Sequence, residues 1–184
     1  MKISEKYADY ILEETKKLLE IDSPSGYTKN VAEYVMEEYH KLGYKADMTV
    51  KGGVLVDLGG EDESNAVMLD THIDTLGGMV SEIKADGNLR IVPIGGLTAN
   101  NTEAENVRVV TRDGKIYTGV FQLDNASVHV NKEYSEKKRS FACMEVLLDE
   151  MVSTKEETRK LGIDVGDIVC FDPRTVITPS GYIK

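Results

Sequence analysis

A change of texture at Gly77-Gly78 constrains this chain more than any other feature, because the residues before and after it obey different periodicities. Upstream, from about Ser4 to Glu20, Tyr7, Ile11 and Leu18 recur at helical spacing with Tyr10 and Leu19 widening the stripe, which predicts a core-facing helix. Asp22-Ser-Pro-Ser-Gly26 interrupts the pattern. Val31, Val35, Tyr39 and Leu42 then mark a second amphipathic helix that Gly43 ends. Ser23 and Ser25 read as caps of that helix, and His40, among Glu37, Glu38 and Lys41, as a solvated helix residue. Three strand-like pieces follow, Tyr44 to Val50, Val54 to Leu58 and Ala66 to Asp70, parted by Gly52-Gly53 and Gly59-Gly60. Gly59-Gly60 lacks the lysine and the helix of a phosphate cradle and reads as a turn. Helices followed by closely spaced strands predict the opening of an α/β layer with a hairpin on one edge.

Downstream the signals are those of hairpins: Met79 to Ile83, Asp86-Gly87, Leu89 to Pro93, then Val107 to Thr111, Asp113-Gly114 and Ile116 to Phe121. They predict a separate small β domain. Val128-His129-Val130 reads as a further strand or strand entry, with His129 structural, and the charged run Asn131 to Arg139 as a mobile loop. Phe141 to Leu148 is the next apolar segment, Ser153-Thr-Lys-Glu156 a capping box that opens a short helix ending at Leu161-Gly162, and Ile168 to Phe171 and Thr175 to Thr178 two more strands.

A formal net charge of −10 argues against nucleic acid or an anionic membrane as the main partner, since both require a basic surface. Cys143 and Cys170 form no Cys-x-x-Cys pattern and read as buried, reduced thiols. The stretch from Met1 to Tyr10 lacks the apolar core of a signal peptide, and no run is long enough to span a bilayer, so the expected location is cytoplasmic.

The chemistry sits at the junction of the two textures. Val67, Met68 and Leu69 form a continuous apolar run, the pattern of a strand buried on both faces of a parallel sheet. His72 and Asp74 follow it two residues apart, so in extended chain both side chains leave the same face. An imidazole there can hold a metal while the carboxylate fixes its ring. Alone, the pair is also what a strand end with two satisfied polar groups looks like.

The flanks add a resemblance. His72-Ile-Asp74, Leu76-Gly77-Gly-Met-Val80, Asp86-Gly87-Asn-Leu89 and Ile94-Gly95-Gly96, with Pro24-Ser-Gly26 near the start and Leu161-Gly-Ile-Asp-Val-Gly-Asp167 and Phe171-Asp-Pro173 near the end, occur in this order. The chain thereby resembles, over nearly its whole length, the glutamyl and deblocking aminopeptidases, the dinuclear-metal family that includes the tetrahedral (TET) aminopeptidases and whose members are sometimes labelled cellulases. The resemblance implies a partial α/β aminopeptidase domain of the phosphorylase/hydrolase-like type carrying an inserted small β-barrel or PDZ-like domain. It divides the chain into residues 1–76 of the peptidase domain, an inserted oligomerisation domain at 77–168, and a return to the peptidase domain at 169–184.

It also implies hydrolysis of N-terminal residues from peptides with two divalent metal ions, zinc or cobalt, in a homo-oligomer. His72 matches the family's first metal ligand and Asp74 its orienting aspartate. The family's bridging aspartate, its Glu-Glu pair with the general base and its last aspartate and histidine ligands all follow the segment similar to Thr175 to Lys184. Glu145, Asp149, Glu150 and the Glu156-Glu157 pair, in a strand of the β domain or at a helix start, offer no substitute. The expectation is an N-terminal portion with at most one weak metal site, inactive alone, whose β domain folds well while its first seventy or so residues lean on contacts from elsewhere. Thr75 stands where many members carry glutamate, a departure that leaves the fine geometry and the substrate preference open. The alternatives are a non-catalytic oligomerisation module and a peptide-binding module whose β edge accepts a strand.

Overall fold

The computed structural model describes residues 3–184; Met1 and Lys2, part of the N-terminal reading above, lie outside the described residues. The chain divides into two compact units, one made of residues up to Thr75 with Thr175–Lys184, the other of Leu76–Arg174.

The first unit opens with helices α1 (Ile3–Glu20) and α2 (Lys29–Lys41), followed by strands β1 (Ala46–Met48) and β2 (Val54–Val56). The strands pair antiparallel as the expected hairpin, Ala46 opposite Val56. The Tyr34 hydroxyl of α2 donates to Glu14 of α1 at 2.6 Å, and burial together with that carboxylate pushes the phenol above the usual tyrosine range. Val31, Ala32 and Ala46 are buried. The α1 stripe, expected to face a core, is instead largely open: Tyr7, Tyr10, Ile11 and Leu19 are all exposed.

The third expected strand does not form. Among the described residues of 66–74 there is no strand, and Val67, Met68 and Leu69 stand 84, 78 and 86% exposed. A strand buried on both faces exists only where neighbouring strands pair with its amides and helices cover it. A local apolar pattern alone cannot supply those neighbours. Thr175 to Thr178, also expected as a strand, contributes a single antiparallel bridge between Ile177 and Ile183 around a turn.

The second unit is a closed barrel of six strands in the order β3-β4-β7-β6-β5-β8: β3 (Gly77–Ile83), β4 (Leu89–Ile94), β5 (Glu105–Val110), β6 (Ile116–Leu123), β7 (Met144–Leu148) and β8 (Ile168–Phe171). Both hairpin signals are realised. Gly87 and Gly114 sit at φ +87° and +81° in their turns, a region that only glycine enters without strain. Closure removes the free edges that an open sheet would leave. The interior holds Val80, Ile83, Leu89, Val107, Val109, Phe121, Met144, Val146 and Val169. Helix α3 (Lys155–Lys160) packs on the first hairpin through the buried Thr158 hydroxyl, which donates to the Gly87 carbonyl at 2.8 Å.

Several expectations shift here. The helix cap moves one residue on, to Thr154, whose side chain accepts from the Glu157 amide at 3.2 Å, while the Glu157 carboxylate reaches back to the Ser153 amide at 2.7 Å. Val128 to Val130 is a turn, not a strand, because the Val130 and Asn131 amides both bond to the Ser127 carbonyl. The charged run 131–139, expected to be mobile, is tied down: Arg139 grips both oxygens of Glu103 at 2.7 and 2.9 Å and bonds two carbonyls of its own loop. Those residues from 169 onward that were assigned to the first unit include β8, and the barrel unit runs on to Arg174. Cys170 is buried as expected and Cys143 is half-buried.

Gly119 of β6 faces β7 so closely that an added Cβ would lie 2.5 Å from the Leu147 carbonyl oxygen. Because the obstacle is backbone, a Gly119→Ala variant is expected to lose about 2 kcal/mol, the usual scale of overpacking. Urea unfolding of the two proteins checks it; equal midpoints would mean that the ladder gives way freely.

Candidate functional site

The candidate site lies wholly in the first unit, where the loop after α1 meets the segment before β3. The two backbones run parallel there: Pro24 bridges Thr75, and the Thr75 amide donates to the Ser23 carbonyl at 2.9 Å. Ser23 is fully buried, its hydroxyl 3.4 Å from both the Ile73 carbonyl and the Thr75 hydroxyl. Two serines read from sequence as helix caps therefore do something else. The N-cap of α2 is Thr28, with no side-chain hydrogen bond, and the 23–25 loop clamps the 73–75 segment.

On this clamp stand the residues singled out in the sequence. His72 Nδ1 lies 3.1 Å from Asp74 Oδ1, so the i, i+2 spacing does bring the pair together. The other carboxylate oxygen, Oδ2, accepts from the Ser25 hydroxyl. That hydroxyl holds the Asp74 carboxyl below the usual carboxylate range, with His72 adding to the effect against a penalty from burial. An ionised carboxylate can only accept hydrogen bonds, so a His72 ring bonded to Asp74 through an Nδ1–H would present the Nε2 lone pair outward. The His72 side chain is 86% exposed. The arrangement is half of a metal site: one open imidazole nitrogen and the carboxylate that orients it. It is not a nucleophile triad, since the serine hydroxyl donates to the carboxylate and does not face the imidazole.

The remaining histidines stay apart from it. His40 Nε2 accepts the Ala46 amide at 3.4 Å, tying α2 to β1, so it is more than a solvated helix residue. His129 lies exposed in the 128–130 turn. Glu145 is buried in β7 against Lys84 and Asn88. Among the described residues no three His, Cys, Asp or Glu side chains converge as a metal-binding group. Sequence reasoning missed Ser25 as a partner of Asp74; the Pro24-Ser-Gly26 match was the signal available for it.

Comparison with known proteins gives relatives over most of the chain. The sequence profile described as M42 glutamyl aminopeptidase matches residues 52–184. A Bacillus subtilis protein assigned as an aminopeptidase, YhfE, is 44% identical over 94% of this chain and 50% of its own length. The glutamyl aminopeptidase of Lactococcus lactis is 27% identical over 93% of this chain and 48% of its own. Among solved structures, an aminopeptidase from the archaeon Desulfurococcus kamchatkensis superposes with a TM-score of 0.81 at 32% identity, covering 94% of this chain and 46% of that one. The chain thus spans about half the length of the relatives it matches.

Proposed function

Since the chain belongs to the M42 glutamyl aminopeptidase family, we propose that it supplies one metal ligand, His72, and its orienting carboxylate, Asp74, to the active site of a cytoplasmic aminopeptidase that removes N-terminal residues from peptides. The observation that carries the reading is the open Nε2 of an imidazole whose Nδ1 is engaged by a carboxylate at 3.1 Å. These residues fit a share of a zinc or cobalt site: a neutral, oriented imidazole is the commonest ligand donor for such ions. Two such ions, when bound, lower the pKa of a water and polarise the scissile carbonyl. His72 would hold one of them and Asp74 would keep the ring turned toward it. Peptide hydrolysis also requires a bridging carboxylate and a general base, and among the described residues no three His, Cys, Asp or Glu side chains converge as a metal-binding group. The 184-residue chain alone is therefore expected to be inactive.

Metal uptake and hydrolysis of a panel of aminoacyl anilides, before and after stripping and reloading with zinc or cobalt, test both parts. The expected result is weak metal uptake that His72→Ala removes, and no turnover. Turnover restored by metal would overturn the inactivity, and uptake indifferent to His72→Ala would overturn the ligand assignment.

A second reading is a non-catalytic assembly module built on the barrel, which has a core of its own within Leu76–Arg174; the closed strand order leaves no edge strand for a peptide to pair with. Sedimentation with and without chelator separates the two readings, because assembly through the barrel needs no metal.

A further inference from the structure

The orientation of His72 depends on a short sequence of contacts. Its side chain is 86% exposed, so packing does not fix the ring, and Asp74 Oδ1 at 3.1 Å is the one hydrogen-bond partner of the ring among the described residues. Asp74 is itself 36% exposed, and a carboxylate at that exposure turns about its own side-chain bonds unless its second oxygen is held. That oxygen is held by the Ser25 hydroxyl, from a residue 49 positions earlier in the chain. Ser25 in turn follows Ser23 and Pro24, both buried, whose backbone is fastened to Thr75 by the 2.9 Å bond from its amide. The hydroxyl is thus presented from a fixed backbone to an otherwise rotatable carboxylate.

We infer that Ser25 is a positioning residue: by holding Oδ2 of Asp74 it fixes Oδ1 toward His72 and so decides which imidazole nitrogen is left open for a metal. This deepens the proposal above and rests on it for the role of the metal, but the orienting contact is a property of the chain alone. The hydroxyl supplies what the backbone clamp does not. Ser23 and Thr75 set where the segment lies, whereas Ser25 sets how one side chain on it is turned.

The test is long-range ¹⁵N–¹H correlation of the histidine rings in the labelled chain, recorded well above the ordinary imidazole pKa, with His72→Ala assigning the signal among the three histidines. Wild-type protein is expected to carry the Nδ1–H tautomer at His72. Ser25→Ala is expected to shift the ring toward the Nε2–H form that free imidazole side chains prefer, with unchanged circular dichroism, and Ser25→Thr, which keeps a hydroxyl, to restore Nδ1–H. A Ser25→Ala ring identical to wild type, or a wild-type ring already in the Nε2–H form, would overturn the inference. Cobalt titration followed at the same resonances supplies the second readout. Ser25→Ala should weaken uptake about 10-fold, the lower end of what outer partners of a ligand contribute. If the wild-type chain takes up no cobalt at His72, the ligand assignment falls, while the tautomer still decides the role of Ser25.

Discussion

Phe121→Ala is expected to cost the barrel about 3–5 kcal/mol, the range for deleting a large aromatic from a packed core. Phe121 on β6 is fully buried and stands between two other rings, stacked on Phe141 and edge-on to Phe171, each at 5.8 Å between centroids. Phe171 belongs to β8, and Phe141 opens the short helical turn just before β7. One side chain therefore joins three segments that are distant in sequence, and such ring pairs add about 0.5–1.5 kcal/mol beyond the area they bury. Far-UV circular dichroism during urea unfolding reads the loss. A loss under about 1 kcal/mol would mean that Phe141 and Phe171 close over the gap, and that the barrel holds together by its ladders alone. Phe121→Leu, which refills most of the volume, should recover more than half.

Glu145→Ala should be nearly as damaging, by about 3 kcal/mol, and for an electrostatic reason. Glu145 is buried; it receives the Lys84 ammonium on one oxygen and the Asn88 amide at 2.8 Å on the other. Burial alone would depress the Lys84 ammonium, but the bonds to Glu145 and Asp86 more than offset it and raise its pKa. Because the folded value lies above the unfolded one, this stabilisation is complete below the ordinary lysine value of 10.5 and is lost as pH rises through the folded value. The gap between wild type and Glu145→Ala should therefore be constant through neutral pH and narrow in strong alkali. Removing both charges is the sharper check. Lys84→Met with Glu145→Leu should lose less than Glu145→Ala alone, since no buried charge is stranded. Simple additivity of the two single changes would show that the pair is not coupled.

What could be read from the sequence divides by the range of the interactions involved. The two β-hairpins of the barrel were legible because Asp86-Gly87 and Asp113-Gly114 encode their turns locally, and the His72–Asp74 pair because an extended backbone puts alternate residues on one side. Closure of the barrel was not legible. It depends on β8 returning between β3 and β5 and on β7 inserting between β4 and β6, pairings that no local pattern specifies. The Val67 to Leu69 run misled for the same reason: an apolar string encodes a desire for burial, and burial needs neighbours. Ser25 misled in the opposite direction. A serine just ahead of a helix satisfies the local rule for a cap, and the bond it makes instead joins residues 49 positions apart. Val128 to Val130 followed β propensity into an incorrect strand because the Ser127 carbonyl, with two amides to satisfy, closes a turn first.

The pairing of β3 with β8 also makes the barrel a particular kind of mechanical link. The chain enters at Leu76 and leaves at Arg174, and Gly77 lies opposite Cys170, followed by Gly78 opposite Val169 and Met79 opposite Ile168. The strands are antiparallel, so both tethers emerge from the same end of the ladder. Tension between them loads one rung at a time, in the manner of a zip, and never shears the three rungs together. A load of that kind should open the β3–β8 seam at low force while the β5–β6 hairpin, whose ladder runs over six pairs, stays shut.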